Sequence, residues 1–164
     1  MARVETLERR FRGAEGEWWF RHTVSQDLPT LATDALVAGW DSQSLRVLAG
    51  EPSSGYYLDL GDLFEKALSE LGRARLSEEQ ALRRFVAYLA WLMVSGRISV
   101  RDGAQRIERI PWYDAPDLPG LSALACVDDE WGAGWGRSDA QLERDSLHAA
   151  SELLASLDAD DPLT

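Results

Sequence analysis

The sequence predicts an all-α protein, a bundle of about six helices with one long Gly/Pro/Trp-rich loop. Three observations lead there. Ser, Asp and Gly recur at the spacing of helix caps and stops. Leu60, Leu63, Phe64, Ala67, Leu68 and Leu71 fall three and four apart, a continuous apolar stripe. The segment 78–95 is apolar on most faces, as the central helix of a bundle is.

Residues 1–26 are the least determined part. A charged helix over 3–12 is expected to break at Gly13 and Gly16, and "EWWFRHTV" (17–24) fits a strand as well as a helix. Asp27 then N-caps a helix entered through Pro29 and stopped by Gly39. Asp41 or Ser42 caps "SQSLRVLA", which ends at Gly50, and Asp59 caps the helix that carries the apolar stripe up to Gly72. Ser77 and Gln80 form a capping box for a helix over 78–95 that is apolar on most faces and belongs in the interior. Ser99 opens a shorter helix that ends before Pro111. Residues 111–137 read as a long loop with a short helix through "LSALACV". Ser138 caps a last helix to about Leu157, followed by a frayed tail over 158–164. The whole is expected to form one domain, a size that suits 164 residues with 45% hydrophobic content.

The net charge is −11, and it is unevenly placed. Residues 73–110 carry eight arginines against four acids, whereas 27–72 carry eight acids against two bases and 111–164 carry twelve against two. Arginine forks fasten to carboxylates, so the basic segment is expected to be neutralised internally. A net charge of this sign opposes nucleic-acid binding, which is driven by cations displacing counterions from phosphates.

The stretch "WLMVSGRISVRDGAQRIERI" (91–110) has the outline of a helix-turn-helix. On a helical wheel Val100, Gly103, Ala104, Ile107 and Ile110 share one face, while Arg101, Arg106 and Arg109 point away with Asp102 among them. A carboxylate in that position would face the phosphates. The segment is therefore expected to be a corner of the core, with Ile98, Ala104 and Ile107 against the helix at 78–95 and Gly96 making the turn.

The sequence offers little catalytic hardware. One cysteine and two histidines exclude a structural zinc site. Cys126, His148 and Asp145 can be written as a triad, but Cys126 lies in an apolar run and is expected to be a small buried hydrophobe; His22 is expected to be a core histidine. No phosphate-cradling glycine pattern is present, and no cofactor or metal is expected. Neither a membrane-spanning run nor a signal-like N-terminus is present, so cytoplasmic residence is expected.

The most unusual stretch is "DDEWGAGWGR" (128–137). Asp128, Asp129 and Glu130 precede Trp131 and Trp135, separated by small residues. Tryptophan anchors with a carboxylate rim suit an arginine-bearing partner, so these five residues are the candidate partner-binding site. The alternative is a loop pinned to the chain's own helices by both indoles. Of the adjacent Trp18 and Trp19, one is expected to be exposed or to pack on a partner.

At "GWDSQSLRVLAGE" (39–51) and "VSGRISVRDGAQRI" (94–107) the chain resembles small helical proteins of high-GC soil bacteria, which carry a DSxxLRxLAG-like segment and a later GxIS…GA..I corner. The resemblance implies no activity, cofactor or site residue. Taken together, the residues lead to an acidic cytosolic protein-binding module, immunity- or adaptor-type, recognising a basic surface. The alternative is a small-molecule binder or enzyme with a pocket under the 111–137 loop, and the third is a DNA-binding regulator.

Overall fold

A computed structural model describes residues 2–54, 57–110, 118 and 120–163, the side chains of 2–4, 57, 58 and 128 aside. Eight α-helices and one 3-10 turn account for the regular structure among them, and they include no strand. The helices are α1 (Ala2–Arg21), α2 (Leu28–Val37), α3 (Gln43–Gly50), α4 (Tyr57–Glu70), α5 (Glu78–Val94), α6 (Val100–Glu108), α7 (Leu121–Ala125) and α8 (Asp139–Asp160), with the 3-10 turn at Asp128–Glu130. The chain divides into two compact units, Met1–Phe85 and Val86–Thr164.

Four serines act as the caps their spacing predicts, whereas Asp27 precedes α2 without a side-chain cap bond. The Ser42 hydroxyl accepts from Leu45 N–H at 3.1 Å and the Ser99 hydroxyl from Asp102 N–H at 3.1 Å. Ser77 and Gln80 exchange both bonds of a capping box, at 3.2 and 3.0 Å, and so do Ser138 and Gln141, at 3.3 and 2.9 Å. Asp41 is no cap; its carboxylate takes the Arg46 guanidinium. Asp59 lies inside the first turn of α4, which begins two residues earlier.

Three elements depart from expectation. First, α1 runs unbroken through Gly13 and Gly16 and takes in most of 17–24. A glycine costs a helix about 1 kcal/mol, but at Gly16 the missing side chain is what packing requires. A Cβ there would lie 2.7 Å from both Ala81 O and Phe85 N, so α1 crosses the start of α5 backbone to backbone. Second, His22 is exposed rather than in the core: it ends α1 with φ +51°, its N–H donating to Trp18 O at 2.8 Å. Third, α8 continues through Asp158 to Asp160, beyond the expected end at Leu157.

In the first unit α2 packs on α1 and α3, and α3 on α4. Leu60, Phe64, Ala67 and Leu68 of the α4 stripe are buried with Phe11, Leu31, Leu45 and Leu48, and Leu63 and Leu71 pack at the margin. Trp18 is buried where Gly61 leaves room for its ring, and its Nε1–H donates to Glu65 at 3.1 Å. Trp19 is half-buried beneath the Arg75 guanidinium.

Part of the positive charge of the 73–110 segment is neutralised within the chain. Arg73 pairs with Glu8 and Glu15, and Arg84 with Glu15, all on α1.

In the second unit Val100, Gly103, Ala104, Ile107 and Ile110 are buried while Arg101, Asp102, Arg106 and Arg109 are exposed, the division expected of α6. The buried face has several partners. It packs on α7, α8 and the 3-10 turn, with Ala104 in a cluster with Val127 and Leu142, and it touches α5 where Gly103 makes room for Met93. Gly96 turns the corner with φ +69°.

Candidate functional site

Of the expected 111–137 loop, residues 111–117, which include Trp112, and Pro119 lie outside the described residues. The remainder is more regular than the sequence suggests. Gly120 enters α7 with φ +79° beside the backbone of Ala149 on α8, a place no Cβ could occupy. Cys126 follows α7 and is exposed, contrary to its expected burial. The apolar neighbours Leu124, Ala125 and Val127 take the inward positions, and the cysteine falls on the outward one.

Between the 3-10 turn and α8 the chain forms a closed loop. Gly132, Gly134 and Gly136 all have positive φ, at +70°, +72° and +77°. Glycine alternates with a side-chain-bearing residue through this stretch. An L-residue would be strained at those three positions, and a Cβ on Gly136 would meet Glu130 Oε2 at 2.8 Å.

Carboxylates hold this backbone. Glu130 accepts from the Arg137 guanidinium through Nη2–H (2.8 Å) and Nε–H (3.1 Å), and from Arg137 N–H at 3.2 Å. The side-chain hydrogen bonds from Arg137, then its N–H, hold the Glu130 carboxyl below its ordinary value. The same guanidinium reaches Asp145 on α8 through Nη1 at 3.1 Å, and both carboxylates raise its pKa further. Asp139 Oδ1 accepts from Gly132 N–H at 3.1 Å. The loop is thus latched at both ends to the beginning of α8.

The five predicted site residues separate on this frame. Trp131 turns inward, half-buried against Ala104, Val127 and Leu142, with the Arg101 guanidinium 5.7 Å from its ring; its Nε1–H is buried without a hydrogen-bond partner among the described residues. Trp135 turns outward and is 61% exposed. Glu130 serves the latch, Asp129 is exposed, and the Asp128 side chain lies outside the described residues.

Arg137, Asp139 and Asp145 escape the sequence reading, although a Glu–Arg pair bracketing three glycines two apart is a signal for a closed loop. Of the residues that can be written as a triad, Asp145 pairs with Arg137, His148 lies 3.5 Å from Glu152, and Cys126 is exposed.

No protein-family model matches the chain, and comparison with curated proteins and with solved structures yields no match. Among the described residues, no group of three or more His, Cys, Asp or Glu side chains is placed to hold a metal ion, and no helix is long and apolar enough to cross a membrane.

Proposed function

We propose that this chain is a protein-binding module, immunity- or adaptor-type, that recognises a basic partner surface with Trp135 as the anchor. The observation that carries this reading is the 61% exposed indole of Trp135 on a loop that Glu130, Arg137 and Asp139 hold in place. An indole brings about 150–250 Å² of contact area to an interface. Holding it on an immobilised loop removes an ordering cost that a flexible loop would meet on binding.

The basic character of the partner follows from charge. Residues 111–164 carry twelve acids against two arginines, and Arg137 is already committed to Glu130 and Asp145. Asp129 is exposed on the 3-10 turn that opens the loop. An arginine from the partner has both an indole face and an excess of carboxylate to meet.

The test is differential capture. Immobilised wild type and Trp135→Ala are exposed to lysate of the native host at low and moderate salt, and retained proteins are quantified. A basic protein retained by the wild type, released by added salt and depleted more than about ten-fold by the substitution supports the reading. Identical retained sets, with both proteins equally folded, count against it.

A further inference from the structure

The connection between α4 and α5 is held to the first unit by its arginines. Residues 73–77 have no regular structure, yet Arg73 and Arg75 are each seated on aromatic rings of the first unit. The Arg73 guanidinium carbon lies 5.0 Å from the Phe11 ring centre and 5.1 Å from that of Trp40. Its Nη2 donates to both oxygens of Glu8, at 2.9 and 2.7 Å, and its Nη1 to Glu15 Oε2 at 3.3 Å. The Arg75 guanidinium carbon lies 4.9 Å from the centre of Trp19. Positions 8, 11, 15 and 19 are three and four apart, so these receiving side chains follow one stripe along α1.

Two further features set this surface apart from a surface ion pair. Glu15 is 1% exposed, and its Oε1 is buried without a hydrogen-bond partner among the described residues. The Trp19 Nε1–H is buried in the same condition. The surface therefore holds hydrogen-bonding capacity that its present occupant does not use. Its chemistry is selective: planar guanidinium both forks onto a carboxylate and stacks on a ring, which an ammonium does poorly.

We infer that this face of α1 is a docking surface for an extended Arg-X-Arg segment of a basic partner, filled in the free chain by its own Arg73-Ala74-Arg75. The tethered segment is a built-in competitor with a high effective concentration, so a partner must displace it to bind. The inference concerns the first unit alone and does not rest on the tryptophan loop.

The test uses the full chain, wild type and Arg73→Ala/Arg75→Ala, titrated with acetyl-Arg-Ala-Arg-Leu-amide and with the analogous lysine peptide. Binding is followed by the indole resonances of Trp19 and Trp40. The double variant is expected to bind the arginine peptide saturably, about ten-fold or more tighter than the wild type does and about ten-fold tighter than it binds the lysine peptide. Should the alanine variant not fold alone, Arg73→Lys/Arg75→Lys is titrated instead, because lysine also vacates the forks. Equal titration of wild type and variant, equal response to the two peptides, or no saturable binding to the folded variant overturns the inference.

Discussion

Arg137 closes on Glu130 across seven residues, with Nη2 2.8 Å from Oε1 and Nε 3.1 Å from Oε2. That contact decides what the tryptophan loop is. Three left-handed glycines lie between the two residues, and each loses more backbone freedom on folding than any other residue type. The charge-assisted pair, together with the Asp139 bond to Gly132, offsets that loss and sets the direction in which Trp135 points.

The latch carries a definite pH dependence. Glu130 has a folded pKa held below its ordinary value of 4.5 by Arg137. A depressed carboxyl contributes fully above its unfolded pKa and loses its contribution as pH falls through the folded value. Protection factors of the Gly132, Ala133 and Arg137 amides, whose N–H groups are hydrogen-bonded in the loop, should therefore hold at neutral pH and fall only as acid protonates Glu130, below the ordinary carboxyl value. Glu130→Gln should exchange rapidly at neutral pH as well. Unchanged protection in that variant would mean the ion pair is not what orders the loop.

Glu15 should show the opposite slope. Burial raises its carboxyl above 4.5, against the pull of Arg84 and then Arg73. Where the folded pKa is the higher, stability is lost as pH rises from the unfolded value through the folded one. Arg73 and Arg84 pair with Glu15, and Arg73 also pairs with Glu8, which takes Arg12. The unfolding free energy of the wild type, measured relative to Glu15→Gln, should thus decline as pH rises above about 4.5. A difference that grows with pH contradicts this account of the buried cluster.

Two glycine substitutions test the α1–α5 crossing. Gly16→Ala drives a methyl into backbone atoms of α5 and should cost about 1–3 kcal/mol or more in denaturant unfolding. Gly50→Ala, in the last turn of α3 with nothing within 4 Å of the new methyl, should be neutral or stabilising by up to about 1 kcal/mol. Equal effects at the two sites would remove the close crossing.

At the α6 corner, Ile107 is fully buried, 0% exposed. Ile107→Ala should lower stability by about 2–4 kcal/mol, whereas Arg106→Gln, on the exposed face, should change it by less than about 0.5 kcal/mol. Similar losses in both would invert the assignment of the two faces.

What the sequence discloses is local. Caps at Ser42, Ser77, Ser99 and Ser138, and the α4 stripe, depend on residues three or four apart, and each holds in the structure. Gly16 misled because the benefit of a bare α1 surface comes from Ala81 and Phe85, more than sixty residues away. The class of Cys126 and His22 depended on a register that residue type does not set; the apolar neighbours of Cys126 took the inward positions, and His22 fell on a left-handed helix end. The tryptophan pair was visible as unusual. Which indole turns outward depended on Arg137, whose partners lie seven and eight residues off in opposite directions.

If Trp135 is an anchor held ready by the latch, the partner's affinity depends on its indole while the fold does not. With the captured partner purified, its affinity for wild type and for Trp135→Ala is measured beside the melting temperature of each. Loss of a buried aromatic anchor should weaken binding by about 2 kcal/mol or more, some thirty-fold, with little change in melting temperature because the indole is 61% exposed. Unchanged affinity, or a fall that tracks loss of the folded protein, would contradict the account.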